Sequence, residues 1–507
     1  MVNNVIRRII GVIPAALIQL LWLFVLLRWL SPYAAYINIM LSIFASLYVL
    51  YIMTNRNEGT YKTLWLLVIL GFPVFGTILY FCFGNKRTAR PIQKRLEHGR
   101  SLLPAAEQEN TSDLNQELKR INPRLSQTFD YVEKKTGFSL YPCQETAYFP
   151  LGEKLLAQML IDLEKAERFI FAEYFIIQNG VMWDSMVEIM ARKAAQGVDV
   201  RVMYDDMGSI STYSKQNLRQ LREKGIRCIR FNPLVFIKGT LNYRDHRKML
   251  IIDGKVAFSG GVNLADEYIN AVEMFGHWKD IGFRLTGAPV QNYARMFAEF
   301  WNAFSKDSIP AAELIVPVAS TENHTSNGYV LSYYDSPLHP DAISNNLYEE
   351  LLSQATEYAW FYTPYLMLGD SLLNAFIRAA QRGVDVRIIM PGVPDKLLVY
   401  RMSRSYYQPL LEAGVKIYEY TPGFVHAKGC IVDDEIGTIG TVNLDYRSLF
   451  LHFENNALFY QASLLKDLKA DFMATQEQCR ERTLDNIGVS FGKWILDGML
   501  RIFAPLC

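Results

Sequence analysis

The sequence predicts an α/β protein, two pseudo-symmetric α/β/α repeats preceded by an N-terminal transmembrane α-helical region. Three observations predict it. The stretch Asp245-His246-Arg247-Lys248-Met249-Leu250-Ile251-Ile252-Asp253-Gly254 returns as His426-Ala427-Lys428-Gly429-Cys430-Ile431-Val432-Asp433, so His-x-Lys-x4-Asp occurs twice. A strand–helix–strand pattern precedes each copy, with Gly197-Val198-Asp199-Val200-Arg201 in one half and Gly383-Val384-Asp385-Val386-Arg387 in the other. The first 85 residues hold long apolar runs almost free of charge. The expected division is 1–85 transmembrane helices, 86–140 a basic and polar helical connector, 141–305 the first repeat, 306–327 a linker, and 328–507 the second repeat with a C-terminal helix.

In the N-terminal region, Ile9–Leu27 is apolar apart from Gln19, Tyr33–Met53 carries no charge, and neither does Thr63–Asn85. The last two approach the ~20 residues that cross a bilayer. Pro73 and Gly76 are tolerated in such a span, and Tyr33, Trp65 and Tyr80 sit where interfacial aromatics do. Three spans are expected, with a two-span hairpin as the alternative if the first run lies in the interface; a cleaved signal peptide fits its length and flanks poorly. Lys86, Arg87, Arg90, Lys94, Arg95 and Arg100 follow the last run, which puts the remainder on the cytoplasmic side of a plasma membrane. Arg7 and Arg8 oppose the external N-terminus that three spans require. The basic cluster is an orientation signal or a holder of anionic headgroups.

In the first repeat, Ala166–Phe175 reads as a buried strand, Met182–Ala195 as a helix, and Gly197–Tyr204 as the next strand. In the second, Thr356–Tyr365, Ser371–Gln381 and Gly383–Met390 repeat the series. Such units imply right-handed crossovers and sheets covered by helices. Asp205, Asp206 and Ser209 follow a strand at its carboxyl end, where ligands gather and where loop capping serves equally well. Tyr174 and Tyr365 occupy equivalent positions at strand ends, either lining a site or packing the core. The tail Phe491–Phe503 has apolar residues at helical spacing, suited to a membrane interface or to packing on the core.

Within each motif the residues before Asp253 and Asp433 read as short buried strands. Period-2 alternation puts the His and Lys side by side on one face. The candidate catalytic set is therefore His246, Lys248, Asp253, His426, Lys428 and Asp433. Asp253 and Asp433, however, fall on the other parity at a strand end, and Asp253-Gly254 is a hairpin turn, so both aspartates read as scaffold. Asn263 and Asn443 lie 17 residues beyond the histidines and are candidate substrate-binding groups. Two His–Lys pairs suit displacement at phosphorus: one imidazole attacks, lysines and asparagines hold the non-bridging oxygens, and the other imidazole protonates the leaving alkoxide. This chemistry needs no metal and no cofactor.

The duplicated motif, with Asn263 and Asn443, resembles the phospholipase D superfamily. The run Gly440-Thr441-Val442-Asn443-Leu444-Asp445-Tyr446-Arg447-Ser448-Leu449, followed by Phe453-Glu454-Asn455-Asn456, is similar to the bacterial cardiolipin synthases within it, as is the Trp-Leu…Pro-Val-Phe-Gly…Tyr stretch near the N-terminus. The resemblance implies phospholipase D-type repeats, a phosphatidylglycerol substrate and transfer of a phosphatidyl group from one molecule to the glycerol hydroxyl of another through a phosphohistidine, with hydrolytic or headgroup-exchanging phospholipase D activity as the alternative. It also implies a carboxylate about 28 residues past each His that orients the imidazole. Glu454 fits for His426; for the first copy Asp280 is the counterpart, with Glu273 as a rival. His452 stands where the family pattern has Asn.

A formal net charge of +1 argues against a nucleic-acid partner. Six cysteines without CxxC or framework spacing argue for reduced thiols rather than a disulfide or zinc scaffold.

Overall fold

The computed structural model describes residues 33–55, 58–84, 89–103, 111–233, 242–314, 328–488 and 490–506, and a few positions before residue 33. The strands of the first half are β1 (Tyr141–Pro142), β2 (Thr146–Phe149), β3 (Phe169–Tyr174), β4 (Asp199–Asp205), β5 (Arg227–Phe231), β6 (Met249–Ile252), β7 (Val256–Gly260), β8 (His277–Lys279) and β9 (Gly282–Thr286). Those of the second are β10 (Tyr329–Asp335), β11 (Tyr358–Tyr362), β12 (Asp385–Pro391), β13 (Lys416–Tyr420), β14 (Gly423–Val425), β15 (Gly429–Val432), β16 (Ile436–Gly440), β17 (Glu454–Tyr460) and β18 (Cys479–Arg482).

One sheet has the order β2-β9-β7-β6-β3-β4-β5; the other runs β1-β10-β17-β16-β15-β11-β12-β13-β18. Seven strands of each correspond one to one, and β1 and β18 are additions at the edges of the second. In both, parallel pairs (β3 with β4, β4 with β5; β11 with β12, β12 with β13) meet the antiparallel hairpin that carries the motif. The expected strand–helix–strand units stand within two or three residues of their predicted ends, as β3, helix Val181–Ala195 and β4, and as β11, helix Asp370–Gln381 and β12. Tyr141–Pro142, expected in the first repeat, pairs instead with β10 of the second.

The sheets face each other across a shared core, where Phe283 of β9 meets Phe459 of β17 edge-on at 5.4 Å. Helix Val290–Phe304 is buried almost all round, because Tyr293, Phe297, Phe300 and Trp301 fill the space beside both sheets. The connector helix Arg90–Ser101 packs on it so closely that a Cβ at Gly99 would stand 2.3 Å from the Glu299 carbonyl. Part of the basic cluster is thereby structural: Arg100 donates to the Tyr334 hydroxyl at 2.6 Å, and Arg95 lies over the Phe304 ring. Lys86 and Arg87 lie outside the described residues.

The apolar run Ile9–Leu27 lies largely outside them too. Tyr33–Met53 corresponds to helix Ala34–Thr54, whose charge-free sequence leaves Ile39, Met40, Ile43, Phe44, Leu47 and Leu50 exposed. Thr63–Asn85 is not one continuous helix. Phe72, at φ −138° and ψ 77°, breaks it into Gly59–Gly71 and Pro73–Leu79, since proline has no N–H to continue the ladder; a turn of π-helix, Tyr80–Gly84, follows. Over the described residues, no helix is long and apolar enough to cross a membrane. The inner faces of these helices close on the second repeat, with Tyr61 stacked on Tyr446 at 5.9 Å and 7°. The C-terminal helix Phe491–Phe503 packs on the core through Arg501, which donates to the Ser405 carbonyl, while Phe491, Ile495, Leu496 and Met499 remain exposed.

Candidate active site

The two motif strands end on one composite centre, and the reason is an exchange of short pairings between the repeats. The segment before His426, β14, runs parallel to β8, the segment before Asp280. Reciprocally, Asp245, just before His246, bridges in parallel to Phe453, just before Glu454. The His246 N–H donates to the Phe453 carbonyl at 2.9 Å and the His426 N–H to the Lys279 carbonyl at 2.7 Å. Each histidine is thus anchored beside the carboxylate of the opposite repeat. His246 Nδ1 lies 2.8 Å and 2.9 Å from the Glu454 oxygens, and His426 Nδ1 lies 2.6 Å from Asp280 Oδ2. A carboxylate at Nδ1 fixes the tautomer and leaves Nε2 for chemistry.

Alternation along the motif strand works as the sequence suggests. His246 and Lys248 share one side; Arg247 points the other way into the first-repeat core, donating to Asp245 at 2.9 Å and to Glu173 and lying over the Phe300 ring at 3.4 Å. Lys248 Nζ donates to the His246 carbonyl at 2.6 Å. Lys428 Nζ donates to the His426 carbonyl and stands 2.7 Å from His426 Nδ1.

Burial dominates the electrostatics. It pushes Lys428 down to about 7 and Lys248 down to about 8, and it pushes Glu454 up to about 8 against the pull of Lys248. Burial and then the Lys248 charge hold His246 well below its ordinary range. Burial and then Lys428 bring His426 down to about 4, with the Asp280 carboxylate acting to raise it. Burial therefore keeps both histidines neutral. The carboxylates of Asp280 and Glu454 act to raise both lysines, and burial outweighs them.

The comparisons with known proteins agree with this geometry. Residues 159–301 and 348–475 match the sequence model of the "cardiolipin synthase, PLD-like domain" family, and residues 40–85 match a phospholipase D-nuclease N-terminal family. The chain belongs to the cardiolipin synthase family of phospholipase D-like proteins. A cardiolipin synthase of Alkalihalophilus pseudofirmus is 35% identical over 89% of this chain and 90% of that protein. An uncharacterized protein of Streptococcus mutans is 42% identical over 90% and 99%. In fold, a crystal structure of phosphatidylserine synthase from Haemophilus influenzae aligns with TM-score 0.54 at 15% identity, over 75% of this chain and 98% of that one. The fold is thus a phospholipase D-like α/β fold with two repeated domains.

Within this phospholipase D-like frame, His246, Lys248, His426 and Lys428 come together, and Asp253 and Asp433 do not join them. Each aspartate lies seven residues on from its histidine, at the far end of a strand and so roughly 20 Å along it. Asp253, at φ +56°, accepts the N–H groups of Glu167, Arg168 and Phe169 at 2.9, 2.7 and 2.9 Å. Asp433, at φ +52°, accepts those of Thr356, Glu357 and Tyr358. Unlike the His–Lys pairs, both aspartates hold the start of the neighbouring central strand.

The assignment of Glu454 to the His426 copy and Asp280 to the His246 copy holds along the sequence but is crossed in space. Glu273 is exposed on a loop and holds neither histidine. Asn263 is anchored, its Oδ1 accepting from the Ile176 N–H at 3.1 Å and its Nδ2 donating to the Tyr268 hydroxyl at 2.8 Å. Asn443 donates to Asp445 at 2.9 Å, while its buried Oδ1 has no partner among the described residues. Asp205 and Ser209 are scaffold: Asp205 accepts the N–H groups of Met207, Gly208 and Asp245, and the Ser209 hydroxyl accepts that of Ile177. Asp206 pairs with Arg230 at 2.7 Å. Tyr174 and Tyr365 are not equivalent. Register against β6 and β15 aligns Tyr174 with Thr363, and Tyr365 with Ile176. The ring of His452 lies 6.0 Å from that of His246, and its Nε2 has no partner among the described residues.

Three further groups take part that spacing alone does not reveal. Tyr268, Trp278 and Phe424 surround His426 at 5.2, 5.6 and 6.1 Å between ring centres. Thr441 donates to Glu454 at 2.5 Å. Asn455 accepts the Lys248 N–H at 3.1 Å and donates to Ser259 at 2.7 Å, tying the two repeats together behind His246. Thr441 and Asn455 stand inside the stretches that carry the family resemblance, which is the signal that could have found them.

Proposed function

We propose that this phospholipase D-type phosphatidyltransferase makes cardiolipin and glycerol from two molecules of phosphatidylglycerol. The observation that carries the reading is the crossed pair of carboxylate-held imidazoles, His246 on Glu454 and His426 on Asp280, each with the lysine of its own motif beside it. His246 Nε2 attacks phosphorus. The P–N bond forms as the bond to the glycerol oxygen breaks, and His426 Nε2 delivers the proton that the departing alkoxide takes up. Lys248, Lys428, Asn263 and Asn443 hold the non-bridging oxygens, and the arriving anion together with Asp280 raises the proton affinity of His426. In the second half, His426 removes the proton from the free glycerol hydroxyl of another phosphatidylglycerol. That oxygen attacks phosphorus and the P–N bond breaks.

His246 is written as the nucleophile and His426 as the general acid; burial keeps both imidazoles neutral, and a phospho-enzyme trapped on His426 would exchange the two roles. Asp253 and Asp433 act through the scaffold alone. The N-terminal helices, with their unpartnered apolar faces, embed the enzyme in the cell membrane, the catalytic repeats lying on its cytoplasmic side. The test is mass spectrometry of the lipids formed from phosphatidylglycerol alone. Cardiolipin with one glycerol per turnover is expected; phosphatidic acid would replace this reading with a hydrolytic phospholipase D.

A further inference from the structure

The aromatic cage of His426 continues outward to two exposed apolar lips, one from each repeat. On the second-repeat side, the Tyr365 ring lies 6.4 Å from Phe424 and its hydroxyl donates to Asp395 at 2.6 Å. Lys396 Nζ stands 5.4 Å from the Tyr365 ring centre. The chain then turns into helix Leu397–Ser405, and its first two residues are left in solvent, Leu397 63% and Leu398 56% exposed. On the first-repeat side, Phe275 sits 6.3 Å from Trp278 and 6.2 Å from Phe424, and the loop just before it exposes Val272 (49%) and Met274 (50%). Exposed leucines singly need no explanation. Paired apolar lips on opposite repeats, joined by aromatic rings to a buried imidazole, do need one.

We infer that Val272 and Met274 on one side and Leu397 and Leu398 on the other are inserted among the acyl chains of a bilayer, so that a phospholipid enters the centre headgroup first without leaving the membrane. The occupant is fixed by two features of the mouth. The centre behind it is built for a phosphodiester, so the molecule that reaches it has an anionic head, and Lys396 at the lip matches that charge. The rings of Phe275, Phe424 and Trp278, 6.2 and 6.3 Å apart between centres from Phe275 inward, form an apolar flank between the lip and His426, suited to the glycerol backbone and chains attached to that head. The inference rests on the proposed phosphatidyl transfer and names where its lipid is held.

The test uses the full chain reconstituted in phosphatidylglycerol vesicles, with dihexanoyl phosphatidylglycerol in monomeric solution as the second substrate. The paired variants are Leu397→Gln with Leu398→Gln, and Val272→Gln with Met274→Gln. Turnover of vesicle lipid is expected to fall about tenfold or more in each, since several buried methylenes are lost from the bilayer, while turnover of the short-chain lipid stays within about twofold. Unchanged vesicle turnover, or an equal fall on both substrates, overturns the inference. A second measurement does not depend on catalysis: a benzophenone side chain placed at position 398 or 274 is irradiated in the same vesicles. Capture of phosphatidylglycerol at both positions is expected, and capture at neither overturns the inference. If the unaltered chain turns over neither substrate, the proposed reaction fails and the cross-link alone decides the lipid contact.

Discussion

His246 is held by a carboxylate 208 residues away, with Glu454 Oε2 2.8 Å from its Nδ1, and His426 is held by Asp280, 146 residues back, at 2.6 Å. Neither repeat alone completes a histidine–carboxylate pair, so the active unit is the packed pair of repeats. Glu454→Gln keeps an acceptor for the Nδ1–H but removes a carboxyl group that can ionise as His246 takes on positive charge. It is expected to lower kcat by about 10²- to 10⁴-fold, in line with orienting carboxylates elsewhere. Ring ¹⁵N spectra should show the His246 resonances shifted and those of His426 unmoved. Asp280→Asn should do the converse. Pairing within each repeat instead would reverse the two spectra.

Asp253 separates scaffold from chemistry. Three backbone donors on one carboxylate, each worth about 1–3 kcal/mol when stranded, make Asp253→Asn a destabilising change. Asp253→Ala should cost more, because the left-handed φ of +56° suits Asn and Asp and penalises Ala by about 1 kcal/mol. Thermal melts should rank wild type above Asn above Ala. Turnover per folded molecule should stay within about threefold of wild type, far from the loss that follows removal of a reacting group. A stable Asp253→Asn protein without activity would contradict this.

The buried lysines set the pH dependence. Burial pushes Lys428 down to about 7 and Lys248 to about 8, and only their protonated forms neutralise phosphoryl oxygens. As pH rises through these values the cations are lost, so kcat/KM should fall on the alkaline side with apparent values near 7 and 8. A bound anion raises both lysines, so the limb in kcat should lie at higher pH than the limb in kcat/KM. Lys428→Gln should remove the lower of the two steps. A profile flat from pH 6 to about 9 would show that the lysines stay charged without substrate.

Much of this was legible because duplication is itself evidence. The motif, its Asn at a fixed offset and the Gly-Val-Asp-Val-Arg strand entry each occur twice, which locates β6 and β15, β4 and β12, and the side of the strand that His and Lys share. Parity also separated Asp253 and Asp433 from the reacting groups. What was not legible is how the halves meet. Spacing assigns Glu454 to the copy that contains His426, and nothing local in the sequence says that β8 and β14 pair across the repeats and carry the carboxylates over. The equivalence of Tyr174 and Tyr365 failed for a related reason: the register that decides it lies in the pairing with β6 and β15, not in the strands' own composition. The break at Phe72 was foreshadowed by Pro73, but hydropathy averaged across the run conceals it.

Asn455 offers the most discriminating test of the asymmetry between the halves. It follows Glu454 directly, as Ile281 follows Asp280, so behind His246 the two repeats are joined by a polar bridge and behind His426 by an aliphatic side chain. The bridge is complete: the Lys248 N–H donates to Asn455 Oδ1 at 3.1 Å, Asn455 Nδ2 donates to Ser259 at 2.7 Å, and the Asn455 N–H donates to Thr441, whose hydroxyl donates to Glu454. Asn455→Ala strands the Lys248 N–H and lets the lysine and the carboxylate on His246 relax together. It is expected to lower kcat about tenfold or more with KM within about twofold, because the groups it positions work hardest in the transition state. Paired with Glu454→Gln, the loss should be less than additive by about 0.5–3 kcal/mol, the coupling found between groups in one hydrogen-bonded network. Paired with Asp280→Asn, on the other histidine, it should be close to additive. Equal coupling to both carboxylates would mean that Asn455 supports the interface between the repeats as a whole, and His246 no more than His426.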